Sequence, residues 1–353
     1  MAKAERLDAI MWDNTDTNAA RELLEAGRAA ARRNPPYPDV AAFAFADVAV
    51  FIAGQGNQEE AEALARETLK FAAADCPYER LRMRMWALDL LARICKERGA
   101  SKEREEFADQ LLATLQAPVL ASALQKRRAL DDFLWAIWGG YDPFHLPEKS
   151  VRRAIQRLDP RDKSTRTQLQ AILGGTVARQ GNWREGLVIL QGALDESVHD
   201  TWLWRAAIDL AALLGDSATE RMLSMSSLAL SGGQPDGERS SNLVEPMLIR
   251  TPDPALLPTI RRLVGKAAQG PPWSRVLGKL PQALFEYHSG HYDQAGRLIE
   301  QYLEEGPVVL GGKMNEHWAC GWFVRAMIDT KLSRHAAARD AYQQALKLHS
   351  VAM

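Results

Sequence analysis

Leu173-Gly174, Gly181-Asn182-Trp183, Gly186, Leu190 and Ala193-Leu194 form a spaced set in the middle of the chain, and their reading decides the fold. Small residues flank a Gly-Asn-aromatic turn at helical spacing, where two antiparallel helices must touch. A second copy reads Ala283, Gly290-His291-Tyr292, Ala295, Ile299, Leu303 and Pro307. A third reads Trp322, Ala326, Ala338, Tyr342 and Ala345-Leu346, and a fourth reads Phe45, Ala49, Gly56-Asn57, Ala61, Ala65 and Leu69. A recurring helical hairpin is the signature of a solenoid, in which each unit buries its apolar face against its neighbours. The expected fold is all-α, and the expected class of function is binding.

The rest of the chain agrees with a helical reading. Apolar residues recur at three- and four-residue spacing from end to end, and strand patterns are nearly absent. A helix through Leu23, Leu24 and Ala31 should stop at Pro35-Pro36. Residues 39–74 and 78–115 read as hairpins around Gly54-Gln55-Gly56-Asn57 and Gly99-Ala100-Ser101. Residues 119–138 read as one long helix, and 147–158 as a short amphipathic one. The stretch 231–258 changes character, with Gly232-Gly233, Pro235, Gly237, Pro246, Pro252, Pro254 and Pro258. It reads as a linker or irregular insertion into which Leu243–Ile249 could dock. The expected organisation is helical repeats over 1–230, this insertion over 231–258, and further repeats over 259–353.

Composition excludes several classes of function. Of 353 residues, 46% are hydrophobic and 25% charged, an ordinary balance for a soluble protein. A net charge of -1 provides no overall attraction to nucleic acid or to an anionic membrane. Cys76, Cys95 and Cys320 are few, odd in number and far apart, so a disulfide framework is not expected and a cytoplasmic location is. The N-terminus leads into no apolar signal segment, and no uncharged run reaches the roughly 18 residues of a membrane span.

The candidate chemical motifs also fail on their own terms. Gly306 to Met314 superficially resembles a phosphate-binding loop, yet Met314 stands where a Mg²⁺-binding hydroxyl is needed. His288-x-x-His291 straddles the turn at Gly290, and His317-x-x-Cys320 has no second pair at zinc spacing. No nucleophile elbow or local cysteine signature is present. Catalytic residues, metal ligands and cofactors are therefore not expected. Lys149, Arg152, Arg153, Arg157, Arg161, Lys163 and Arg166 form the one basic cluster. Glu148, Asp159 and Asp162 dilute it and no aromatic is interleaved, so it reads as a solvated face and nucleic acid is not an expected partner. Trp86, Trp135, Trp183 and Trp322 read as wedges between helices, and one of Trp202 and Trp204 as exposed.

The quoted copies resemble the tetratricopeptide repeat (TPR), a helix-turn-helix unit of about 34 residues. Gly186 stands where the family usually has Ala, and Ser333 and His335 occupy the turn of the last copy. The resemblance implies a right-handed α-solenoid of antiparallel hairpins, a TPR-like superhelix whose first helices line a concave groove. Carried onto this chain, the groove positions are Phe43, Ala46, Val50, Ala53 and Gly54, then Gln168, Ala171, Gly175, Ala178 and Arg179. They continue as Leu277, Leu280, Leu284, Tyr287 and His288, then Cys320, Phe323, Met327, Thr330 and Lys331. These are mostly small or apolar, which argues against a clamp for chaperone-tail carboxylates. The resemblance implies a non-catalytic scaffold or adaptor that takes a hydrophobic or amphipathic protein segment, with Arg179, Tyr287, His288, Phe323, Met327 and Lys331 as anchors. A regulatory or sensor domain acting on a separate effector enzyme is the alternative, and an enzyme on a helical scaffold comes third. The groove is either open to that partner or filled by the chain itself.

Overall fold

A computed structural model describes residues 17–33, 36–73, 76–117, 120, 122, 125–126, 129–130, 133, 145–196, 201–230, 237–269, 272–309 and 315–352. All regular structure among the described residues is helical. The chain forms two compact units, residues 1–189 and 190–353.

The first unit contains α1 (Thr17–Arg32), α2 (Pro38–Gly54), α3 (Gln58–Phe71), α4 (Tyr78–Glu97) and α5 (Ser101–Thr114). It continues with α6 (Glu148–Arg157), α7 (Lys163–Arg179) and the start of α8 (Trp183–Glu196). These match the hairpins and the short amphipathic helix expected from spacing. The long helix expected over 119–138 falls largely outside the described residues. Phe45, Leu88, Leu91, Leu111, Leu169, Leu173 and Val177 share one core cluster. A buried polar clasp pins residue 145 to that core. Asp89 Oδ2 stands 2.9 Å from Arg93 Nε, and Asp89 Oδ1 stands 3.0 Å from His145 Nε2. Arg104 Nε donates to the His145 carbonyl at 2.8 Å.

The second unit contains α9 (Thr201–Leu213), α10 (Ser217–Leu230), α11 (Gly237–Ile249), α12 (Leu257–Ala267) and α13 (Pro272–Leu277). It closes with α14 (Lys279–His288), α15 (Tyr292–Val309), α16 (Asn315–Lys331) and α17 (His335–Ala352). The Pro- and Gly-rich stretch 231–258 lies inside this unit and holds a full helix. Local propensity is overridden there by burial: Leu243, Val244, Met247 and Leu248 are all enclosed, and Pro246 is carried within the helix.

One turn recurs through both units. It joins α2 to α3, α4 to α5, α7 to α8, α9 to α10, α14 to α15 and α16 to α17. Gly56, Gly99, Gly181, Gly215, Gly290 and Ser333 sit at its centre with φ between 59° and 88°. The next residue's N–H reaches back over that centre to a carbonyl five residues earlier. These bonds run from Asn57 to Ile52, Ala100 to Cys95, Asn182 to Val177, Asp216 to Ala211, His291 to Glu286 and Arg334 to Asp329, at 2.8–3.2 Å. This is the Schellman closure, which satisfies helix-end carbonyls and needs a left-handed residue. Asn57 and Asp216 then cap the following helix, accepting from Glu60 N and Thr219 N. The turn at Gly215 escapes the four copies quoted from sequence, yet it lies one TPR length, about 34 residues, beyond Gly181.

Small residues then let the paired helices close. A Cβ at Gly186 would stand 2.7 Å from the Gly174 carbonyl oxygen and 3.0 Å from the Ala178 Cβ. The departure from the family's Ala thus has a steric reason: at this position α8 rests on the backbone of α7. Gly321 meets the Tyr302 ring in the same way, and Gly306 meets the Trp318 ring.

Two substitutions test this geometry by thermal or urea unfolding. Gly186→Ala should destabilise by about 1–3 kcal/mol, since the obstructing atom is backbone and cannot rotate away. Ser333→Gly should stabilise by roughly 0.5–1 kcal/mol, the left-handed cost of an L-residue less the extra entropy of glycine.

Candidate interaction surface in the second unit

The groove positions on α14 are filled by the chain itself. Leu280 and Leu284 are buried, and α11 packs on α14. His288 Nε2 donates to the Leu248 carbonyl at 2.8 Å, so its ring closes the α11–α14 contact. Tyr287 is half-buried and meets Tyr292 edge-on, with ring centres 5.6 Å apart. Both residues, expected as partner anchors, are engaged within the unit.

The same register on α16 is open. Cys320, Met327, Thr330 and Lys331 are exposed, and Phe323 is half-buried. Phe323 is braced edge-on by Tyr342 of α17 at 5.6 Å. Met327 is 37% exposed, Tyr342 47% and Leu346 38%. Phe323 and Met327 are one helical turn apart, as are Tyr342 and Leu346, so the four make an apolar strip across one hairpin. Lys331, at the end of α16, makes no ion pair among the described residues. Tyr342 and Leu346 belong to this strip although the sequence reading placed them at packing positions. Arg179 belongs to the first unit, where it is the exposed last residue of α7.

Beside α16 lies an ionic cluster that no sequence motif announced. Arg205 Nη2 donates to Glu245 Oε1 at 2.7 Å, and Arg205 Nε stands 3.8 Å from Asp209 Oδ2. Tyr302 is fully buried, and the Cys320 thiol lies within electrostatic reach of both Arg205 and Tyr302. The cluster thus joins α9, α11, α15 and α16. Asp209 Oδ1 is enclosed and has no hydrogen-bond partner among the described residues. Burial, opposed by Arg205 and helped by Glu245, pushes the Asp209 carboxyl up to about 7. Burial also raises the Tyr302 phenol well above its usual range, which keeps it protonated. One guanidinium therefore faces two carboxyls, and the less favoured carboxyl holds its proton close to neutrality. The available signal was Arg205 and Asp209 four residues apart inside the otherwise apolar run from Leu203 to Leu210.

The remaining motifs resolve into structure. His291 Nδ1 donates to Glu286 while His288 binds a backbone carbonyl, so the two rings are engaged separately. The side chain of His317 lies outside the described residues. Among the described residues no group of three or more His, Cys, Asp or Glu could hold a metal ion. Gly306 of the phosphate-loop-like stretch is a packing position, and residues 310–314 are outside the description. The basic cluster is partly neutralised: Arg152 donates to Glu148 and Glu185, and Arg153 to Asp109. Trp204 is buried, whereas Trp183, expected as a wedge, is 43% exposed. No helix among the described residues is long and apolar enough to cross a membrane.

The chain is built of antiparallel helical hairpins that resemble the TPR unit in their turn and spacing. No protein-family profile matches it, and no curated protein sequence does. Among solved structures it is similar to a chain from a functional characterisation of Pseudomonas aeruginosa pilF. That pair shares 14% identity at a TM-score of 0.31, over 65% of this chain and 92% of the other. It is also similar to the P58(IPK) TPR domain, at 14% identity and a TM-score of 0.20 over 99% of both chains. Likeness at this level transfers neither a partner nor an activity.

The Asp209 carboxyl predicts a pH dependence with a definite sign. The unfolded chain releases this proton near 3.8 and the folded chain near 7, so the folded state holds more protons between those values. Stability should therefore fall as pH rises through that window. Asp209→Asn should remove the fall and stabilise the chain at pH 8 by roughly 1–2 kcal/mol, a figure discounted for the 32% of the side chain that reaches solvent. Urea melts of both proteins at pH 4 and pH 8 make the comparison, and parallel curves would refute it.

Proposed function

We propose that the chain is a non-catalytic scaffold that holds a hydrophobic or amphipathic segment of a partner protein against the α16–α17 hairpin. The observation that carries this reading is the strip of exposed Met327, Tyr342 and Leu346 beside half-buried Phe323, in a register that α14 fills internally. Aromatic and Met side chains supply large contact area, and Met adapts to irregular partners. Lys331 beyond the strip favours a segment with an acidic residue at the matching end. The apolar residues of such a segment would fall at helical spacing, as in other helix-in-groove contacts. Tyr287 and His288 are held within the unit by Tyr292 and the Leu248 carbonyl, and neither they nor Arg179 have an assigned role in this reading. Cys76 and Cys95 are buried free thiols and Cys320 an exposed one, consistent with a reducing compartment such as the cytoplasm.

The test is capture of the partner from native extract by the tagged chain and by a Met327→Glu, Lys331→Glu double variant. Both positions are exposed, so the variant should melt close to the unsubstituted chain. Partner recovery should fall about tenfold or more, the scale on which anchor residues act. Undiminished recovery by the folded variant would move the interaction off this face.

A further inference from the structure

The second unit contains a cleft away from this strip. It lies between α12, α14 and α15 and measures about 380 Å³, within the range of about 300–1,000 Å³ typical of ligand sites. Its α14 side chains, among them Phe285 and Glu286, project from a different face of that helix than the groove positions Leu280, Leu284 and Tyr287.

Three features give the cleft a definite chemistry. Its floor is apolar, with Val264 and Phe285 both buried. Gly265 leaves that floor open: a Cβ there would meet nothing within 4 Å, so α12 turns bare backbone toward the space. Arg261 is exposed at the rim with its guanidinium 5.6 Å from the Phe285 ring centre, and it makes no ion pair among the described residues. The sole carboxylate of the lining, Glu286, accepts from His291 Nδ1 at 2.7 Å and is directed there. A guanidinium stacked on an aromatic keeps its donor edge free for a planar anion.

We propose that this cleft binds an acidic side chain of a partner polypeptide together with an adjoining aliphatic side chain. The carboxylate pairs with Arg261, and the aliphatic group enters the space beside Gly265, over Val264 and Phe285. A carboxylate fits better than a large polyanion because the rim offers one uncompensated guanidinium and no second unpaired cation in the lining. This site is independent of the α16–α17 strip.

The experiment is fluorescence anisotropy of a fluorescein-labelled peptide, Ala-Leu-Glu-Leu-Ala, titrated with the full chain. Its Ala-Leu-Gln-Leu-Ala counterpart and free 4-methylpentanoate serve as the comparison ligands. Saturable binding of the Glu peptide is expected, weakened about tenfold by the Gln replacement or by Arg261→Gln. Gly265→Leu should abolish binding by filling the floor, in a direction where nothing obstructs the new side chain. Met327→Glu, on the other surface, should leave binding unchanged. That control separates a failure here from a failure of the scaffold reading. Absence of saturable binding, or binding indifferent to both Arg261→Gln and Gly265→Leu, would overturn the proposal. Equal affinity for 4-methylpentanoate would overturn its assignment to a polypeptide.

Discussion

The hydrogen bond thrown across each left-handed turn residue is the constraint on which the rest of the structure depends. It ends one helix and turns the chain sharply, so the next helix starts antiparallel and in contact. Five of the six turns place glycine at that point, and the sixth places Ser333. Once the turn is set, the residues a few positions to either side must be small. Gly186 against the Gly174 carbonyl is the tightest expression of this in the first unit. The faces left for recognition follow from the same geometry, because the turn determines which side of the first helix in each hairpin looks away from its mate.

Each unit encloses a polar cluster in its interior. In the first, Asp89 stands between Arg93 and His145, and Arg104 binds the His145 carbonyl, which ties residue 145 to the core. In the second, Arg205 is shared between Glu245 and Asp209, and one carboxyl oxygen remains without a partner. Buried ion pairs contribute little net stability after desolvation, but an incompletely satisfied set is costly. In the second cluster the Arg205–Glu245 pair ties α9 to α11.

The hairpins were legible in the sequence wherever a glycine or Asn-rich turn coincided with small residues at helical spacing, as at Gly56-Asn57 and Gly181-Asn182. The Gly215 turn was missed as a repeat because its aromatic neighbours, Trp202 and Trp204, precede it in α9 rather than follow it. Helix α11 was masked by Pro246 and the surrounding glycines, whose local cost is outweighed by four buried apolar side chains. Of the expected groove positions, Leu280 and Leu284 on α14 are buried, whereas Cys320, Met327, Thr330 and Lys331 on α16 are exposed. Periodicity identifies the face of α14 and of α16 but not that α11 covers only the former, since the contact spans some forty residues of sequence. The Arg205 cluster and the Arg261 cleft were illegible for the same reason. Each joins residues of one helix, Arg205 with Asp209 and Arg261 with Gly265, to partners on helices distant in sequence, and no spacing rule connects the two sides.

Because each turn is closed by bonds reaching only five residues back, much of the stabilising contact is local. Chains of this kind fold quickly for their size and open piecemeal, one hairpin at a time, rather than in a single global event. Amide exchange in α16 and α17 would then report on that hairpin's own opening equilibrium. The α14–α15 hairpin, fastened to α11 through His288, should exchange with the helices that cover it. A partner seated on the last hairpin would thus be felt first as slowed local opening, long before any shift in the melting of the whole chain.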